Sequence, residues 1–173
     1  MQFSNCSGVM DYNTDNMTDS VRGLLNRARA FCAGSEQCRS AVHCKLTGWG
    51  ATDDEADVIL EKLVEEGYVD ERRYVRAYCE SKLLRAGWGG VKVRYELLHK
   101  GIPRDIVDEG IAAIDVEGRD EAIRKVAAKK MDTLHGQDEA VVRRRLASYL
   151  AQRGFGMDEI GRVVAEMLRN ETK

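Results

Sequence analysis

The stretch that decides the reading runs from Gly67 to Val107: GYVDERRYVRAYCESKLLRAGWGGVKVRYELLHKGIPRDIV. It holds an aromatic–acidic turn, a charged helical run, a Gly87-Trp88-Gly89-Gly90 break, a second basic run and a Lys100-Gly101-Ile102-Pro103 stop. From Arg72 to Arg104 nine cationic side chains (Arg72, Arg73, Arg76, Lys82, Arg85, Lys92, Arg94, Lys100 and Arg104) face only Glu80 and Glu96, a net of +7. Just before it, Asp53 to Glu71 sets nine acids against Lys62, a net of −8. The chain as a whole is at −2, so two strongly opposed blocks lie inside a near-neutral total.

Working outward, the pattern is helical throughout. The 173 residues are 43% apolar and 32% charged, with Pro103 the only proline, a balance that suits helices better than sheets. From Asp19, Leu24, Leu25, Ala28, Phe31 and Cys32 fall at three- and four-residue spacings up to Gly34. A second helix is predicted from about Ser35 to Gly48, on Cys38, Val42 and Leu46. Thr52 and Glu55 have the spacing of a capping box, followed by Ala56, Ile59, Leu60, Leu63 and Val64. Asp70 is placed to cap a fourth helix, with Tyr74, Val75, Tyr78, Cys79 and Leu83 inward until Gly87 stops it. Val91, Tyr95 and Leu98 form the expected stripe of a fifth helix, and Ile106, Val107, Gly110, Ile111 and Ile114 that of a sixth opening at Pro103. Three more are expected from about Arg119 to Leu134, Asp138 to Arg153 and Met157 to Arg169.

These boundaries repeat. Gly34, Gly87 and Gly136 close the first helix of successive trios, at spacings of 53 and 49; Gly50, Gly101 and Gly154 precede each third helix, at 51 and 53. Ala56, Ile59, Leu60, Leu63 and Val64 map by an offset of 104 onto Ile160, Val163, Val164, Met167 and Leu168. The expectation is an all-α chain of three tandem three-helix repeats in an elongated, curved array: 19–67, 68–117 and 118–173, after a flexible tail at 1–18. Met10 and Met17 are alternative starts within that tail.

The classes this excludes are clear. No apolar run approaches the roughly 18–20 residues that span a bilayer, and the first residues lack a signal peptide's basic start and apolar centre, so a cytoplasmic protein is expected. Five cysteines (Cys6, Cys32, Cys38, Cys44 and Cys79) are an odd number and read as free thiols. Gly87-Trp88-Gly89-Gly90 is followed by no Gly-Lys-Ser/Thr and preceded by no strand, so it reads as a helix corner with Trp88 packed in the core. Cys32, Cys38 and Cys44 recur every six residues, about 120° apart on a helix, and cannot converge on one ion with His43; they read as buried thiols. His99 and His135 end helices, and the pairs Asp53-Asp54 and Glu65-Glu66 suit a helix N-terminus and a solvated face. No catalytic residue, metal or cofactor is expected.

The basic side chains remain. Arg72, Arg73, Arg76, Lys82 and Arg85 on the fourth helix, Lys92, Arg94 and Lys100 on the fifth, Arg124 and Lys125 on the seventh, and Arg143, Arg144 and Arg153 on the eighth are the candidates for meeting an acidic partner or a phosphate backbone. Taken singly, each reads equally well as a solvated cation balancing local acids. Tyr74, Tyr78 and Tyr95 sit at core spacing and read as packing.

From Gly67 to Ile106 the chain resembles the RecX family, regulators of the bacterial recombinase RecA. The matching pieces are Gly67-Tyr68-Val69-Asp70-Glu71-x-Arg73-Tyr74, Gly87-x-Gly89, Arg94-x-Glu96-Leu97 and Lys100-Gly101-Ile102. Leu150, Arg153-Gly154-Phe155 and Asp158-x-Ile160 continue the likeness, which spans about residues 20–170. It departs where Gly90 replaces a frequent proline and where Arg39-Ser40-Ala41-Val42-His43-Cys44 replaces Ser-x-x-Glu-Leu. The resemblance implies three three-helix repeats and a non-enzymatic protein that lodges in the groove of the RecA filament on single-stranded DNA. It also implies suppression of ATP hydrolysis, strand exchange and coprotease activity, and so a role in homologous recombination, DNA repair and the SOS response. A monomer with at most weak direct DNA contact is expected. A DNA-binding regulator with helix-turn-helix-like units, or a helical adaptor that binds neither, are the alternatives.

Overall fold

In the computed structural model the described residues are 17–171, and every regular element among them is helical. The helices are α1 (Asp19–Gly34), α2 (Arg39–Gly48), α3 (Asp53–Glu65), α4 (Glu71–Cys79), α5 (Gly90–His99), α6 (Arg104–Ala112), α7 (Val116–Met131), α8 (Glu139–Gln152) and α9 (Met157–Glu171). A π-helical turn, Glu80–Arg85, extends α4. Of the tail expected over 1–18, residues 1–16 lie outside the described part, Cys6 and Met10 with them. Thr18 belongs to the first cap, its side chain accepting from the Val21 N–H at 3.3 Å. None of the helices is long and apolar enough to cross a membrane among the described residues. The contacts divide the chain into two compact units, Met1–Val69 and Asp70–Lys173.

In the first unit α1, α2 and α3 pack around Leu25, Ala28, Val42, Leu46, Ala56, Ile59 and Leu63. The capping box closes as expected: Glu55 N–H donates to Thr52 Oγ1 at 3.2 Å, and Thr52 N–H to Glu55 Oε2 at 2.9 Å. The second helix starts later than the expected Ser35. Ser35 is extended, Cys38 is buried and is the N-cap, and its carbonyl accepts from Ala41 and Val42 at 3.1 Å. Drawing Cys38 into the core requires that extended link. Arg29 ties α1 to the end of α3 with two parallel bonds to Glu66, Nε–Oε2 at 2.7 Å and Nη2–Oε1 at 2.5 Å. That fork holds the Glu66 carboxyl below its ordinary range and the Arg29 guanidinium above its own.

In the second unit α4 packs chiefly on α6, α5 on α6, and α7, α8 and α9 on one another. Asp70 caps α4, accepting from Arg73 N–H at 3.0 Å. The seventh helix opens three residues before the expected Arg119, because Asp115 accepts from Gly118 N–H at 2.9 Å and supplies the cap. Of the five positions matched between α3 and α9, Ala56, Ile59, Leu60 and Leu63 are buried in one helix and Ile160, Val163, Val164 and Leu168 in the other. Only Val64 and Met167 are half-exposed.

The fifth helix turns a different face inward from the one its spacing suggested. Val93 and Leu97 are fully buried, whereas Val91 is 58% exposed and Tyr95 65% exposed. A ten-residue helix with apolar side chains at 91, 93, 95, 97 and 98 offers two stripes of equal merit. Its ends choose between them, and both ends are fixed by backbone bonds.

The C-terminal end is a Schellman motif that recurs after α2, α5 and α8. Ala51, Ile102 and Phe155 donate to the carbonyls of Leu46, Leu97 and Leu150 at 3.0, 3.3 and 3.2 Å. Gly50, Gly101 and Gly154, at φ of 99°, 80° and 83°, donate to Thr47, Leu98 and Ala151. The residue beyond each glycine is buried with the leucine it bonds, which is the apolar contact the motif uses. Gly34, by contrast, lacks the positive φ that marks the other five glycines of the repeat.

The N-terminal end of α5 is held by the third trio of helices. Gly89 N–H donates to Arg153 O at 2.8 Å and Val91 N–H to Gly154 O at 3.0 Å. A Cβ at Gly89 would stand 2.1 Å from the Gly154 carbonyl, and one at Gly154 would stand 2.2 Å from Lys92 Cβ. The two backbones therefore touch because neither glycine has a side chain.

Two outcomes follow. Gly50→Ala, where a Cβ meets nothing within 4 Å, should cost only the left-handed strain of about 1 kcal/mol. Gly154→Ala adds the collision with Lys92 and should cost about 3 kcal/mol or more, read from urea unfolding midpoints; equal losses would refute the junction. For Glu66, a carboxyl whose folded pKa is depressed, the stability gained is present above its unfolded pKa and lost as pH falls through the folded value. Glu66→Gln should thus destabilise by about 1 kcal/mol at pH 7 and by nothing measurable once the wild-type carboxyl is protonated.

A candidate partner-binding surface

The side chains expected to carry binding fall into three groups. Around the Gly87–Gly90 loop the fold brings four together. Lys82, in the π-helical turn, stands over the Trp88 indole at 4.9 Å, and Lys92, on the first turn of α5, at 4.1 Å. Arg153 reaches back from the end of α8, its Nη1 donating to the carbonyls of Ala86 at 3.1 Å and Gly87 at 3.3 Å, with its guanidinium 5.2 Å from the Tyr149 ring. Arg94 bonds Asp108 of α6 through Nε at 2.7 Å. The Gly-rich break is therefore a loop whose own carbonyls are taken by an arginine and whose amides bond a neighbouring helix end. The Trp88, Gly89 and Val91 N–H groups are all engaged by protein carbonyls, so they are not available to cradle a phosphate. Trp88 is half-buried rather than a core residue, because two ammonium groups need a solvated side of the ring.

A second group is engaged in local ion pairs on separate helices. Arg72 pairs with Glu109, Arg143 with Glu139 at 2.9 Å and Lys125 with Glu121 at 2.7 Å. Arg124 lies between Glu166 at 3.2 Å and Asp120 at 4.0 Å. Arg73 lies 3.9 Å from Asp70, and the Lys100 N–H closes α5 on Glu96 and Leu97. Such exposed pairs are worth about 0–1 kcal/mol each, so they set local charge more than stability. In the third group, Arg76, Arg85 and Arg144 are exposed and form no ion pair among the described residues.

The aromatic side chains divide as well. Tyr74 and Tyr78 are half-buried with ring centroids 5.8 Å apart, and burial pushes the Tyr78 hydroxyl up. Tyr95, expected in the core, instead stacks in solvent on His99 at 5.9 Å with the planes 10° apart. Sequence reasoning missed Arg119, Ile111, Phe155 and Glu159. With Trp88, Val91 and Arg94 they line a cleft of about 260 Å³. No linear signal marks them, since they come from α6, α7, α9 and a loop.

Among the described residues no cluster of His, Cys, Asp or Glu is placed to hold a metal ion. His43 faces Asp57 at 3.5 Å and Asp53 at 3.9 Å instead. Cys32, Cys38 and Cys79 are buried free thiols, but Cys44, expected with them, is exposed, because it follows His43 off the Val42–Leu46 stripe. Burial pushes the Cys79 thiol up to about 11, and burial followed by Glu36 raises Cys32. Since the thiolate is the nucleophile, an aryl disulfide reagent at pH 8 should lose one fast-reacting thiol in Cys44→Ser. Cys32 and Cys79 should react only after guanidinium unfolding. An unchanged fast count in Cys44→Ser would contradict the burial pattern.

Comparison with known proteins adds to this geometry. Residues 70–111 match the model of the RecX second three-helix domain, and residues 117–164 that of the RecX third three-helix domain. The chain is 32% identical over 155 residues to the regulatory protein RecX of Prosthecochloris aestuarii, covering 89% of this chain and all of that protein. It is 30% identical over 163 residues to that of Clostridium acetobutylicum, covering 91% and 75%. The crystal structure of RecX from Lactobacillus salivarius shares the fold with a TM-score of 0.77 at 19% identity, over 87% of this chain and 97% of that one. A second crystal structure of regulatory protein RecX gives 0.75 at 21%, over 88% and 74%. Two domain models and near-full-length relatives agree with the helical arrangement, and the chain belongs to the RecX family of regulatory proteins.

Proposed function

We propose that this protein binds the filament of the bacterial recombinase RecA on single-stranded DNA and lowers its ATP hydrolysis, strand exchange and coprotease activity. In this reading it acts in the cytoplasm, as a monomer, by binding rather than by catalysis. The observation that carries the proposal is family membership over most of the chain, with relatives named as regulatory proteins. We take 19–67, 68–117 and 118–173 as the three-helix units through which it makes contact.

The charge distribution supports the same reading. Arg76, Arg85 and Arg144 have no internal ion pair among the described residues, so a partner's acidic groups can meet them without breaking one. Lys82 and Lys92 are held by Trp88 rather than by carboxylates, which leaves their charge uncompensated. The paired cations, Arg72, Arg124, Lys125 and Arg143, contribute less field because each has an acid beside it.

The deciding measurement is the single-stranded-DNA-dependent ATPase of RecA titrated with this protein. A fall in rate is expected, and no change at several-fold molar excess would refute the proposal. Arg76→Glu combined with Arg85→Glu should weaken the effect by roughly tenfold while moving stability by no more than about 0.5 kcal/mol. A direct DNA-binding regulator would instead hold duplex DNA tightly without RecA and lose affinity steeply with salt.

A further inference from the structure

The cleft beside Trp88 has a composition that ion-pair or phosphate contacts do not account for. Its lining is part apolar, from Leu83, Val91, Ile111 and Phe155 with the indole, and part polar. Three charged side chains also line it, and two of them are committed. Arg94 is bonded to Asp108 at 2.7 Å, and Glu159 Oε2 accepts from the Gly156 N–H at 2.8 Å at the start of α9. Arg119 makes no ion pair among the described residues, and its Nε is closed off from solvent without a hydrogen-bond acceptor. A guanidinium with no carboxylate beside it is under-satisfied, and a carboxylate meeting the part of the half-buried side chain that remains open forms a charge-assisted hydrogen bond.

We propose that this cleft is a docking site for a short acidic segment of a protein partner, with a glutamate or aspartate carboxylate taken by Arg119 and an adjoining aliphatic side chain lying against Trp88, Val91 and Phe155. The volume of about 260 Å³ accommodates one or two side chains, below the range of roughly 300–1,000 Å³ usual for a small-molecule site. The charge is complementary: with Arg94 balanced by Asp108, Arg119 and neighbouring Lys92 outweigh Glu159, whose carboxylate is already occupied. A nucleic-acid backbone fits less well, because it needs a run of uncommitted cations and leaves the apolar walls unused. Nor is the indole a bare stacking platform, since Lys82 and Lys92 stand over it. The site stands on the cleft alone and does not depend on the recombinase being the partner.

The test is a titration of the full-length, isotope-labelled protein, reading the arginine Nε–H resonances by NMR. The ligands are N-acetyl-Leu-Glu-Leu amide, its Leu-Gln-Leu counterpart and a short oligothymidylate. The Glu peptide should shift the Arg119 resonance saturably and the Gln peptide should not. Arg119→Met should weaken the Glu peptide by about tenfold, the contribution of one charge-assisted hydrogen bond. Because Arg119 is partly buried, Val91→Asp is the second variant: its side chain is 58% exposed at the start of α5, where an acid suits the helix, and it should repel the peptide without unfolding the protein. No shift with either peptide would overturn the proposal. Equal shifts with both would overturn the role of the carboxylate. A shift with oligothymidylate alone would reassign the cleft to nucleic acid.

Discussion

Two hydrogen bonds between bare backbones fasten the start of α5 to the end of α8: Gly89 to the carbonyl of Arg153, and Val91 to that of Gly154. They require an approach so close that a methyl group on either glycine would overlap the other strand of chain. The first turn of α5 is fixed by that approach, so Lys92 comes to lie over Trp88 and Arg153 comes within reach of the Ala86 and Gly87 carbonyls. The cleft beside Trp88 exists because α5 and the beginning of α9 are anchored to the same short segment.

The basic window takes on a different meaning once its partners are known. In the chain, Arg72 and Arg94 add to an excess of positive charge; in the fold, they are answered by Glu109 and Asp108 from α6, which lies just beyond the window. The excess is therefore smaller at the surface than along the sequence, and it is concentrated where aromatic rings or solvent, rather than carboxylates, meet the cations. Lys82 and Lys92 belong to the first kind, Arg76 and Arg85 to the second.

Much of the architecture was legible in the sequence, for reasons that can be located. The α3 and α9 stripes were readable because thirteen and fifteen residues give three or more turns of consistent spacing, and the Thr52 and Asp70 caps because a cap is a local device. The face of α5 was not readable, since Val91–Tyr95–Leu98 and Val93–Leu97 compete within ten residues and the choice is made by contacts over sixty positions away. The same holds for the candidate site. Charge clusters are visible in a chain, whereas their pairing with Glu109, Asp108 and Glu166 is a property of how helices meet. Arg119 was invisible for the complementary reason: one arginine among many carries no mark of losing its hydrogen-bond acceptor.

The helix ending shared by α2, α5 and α8 has one more consequence. At these three joints the backbone bonds and the glycine make the bend, and the residue after the glycine is buried, so the side chain before the glycine is left unconstrained by the geometry of the joint. The chain uses that vacant slot in three separate ways. At the first joint Trp49 meets Phe31 edge to face at 6.1 Å, with Arg27 over its ring, and serves as packing. The second joint has the half-exposed Lys100, and the third has Arg153, which clamps a loop 66 residues away. A repeat can thus diversify at its hinge without altering the angle of the hinge, and such positions are where copies of one module can acquire separate tasks.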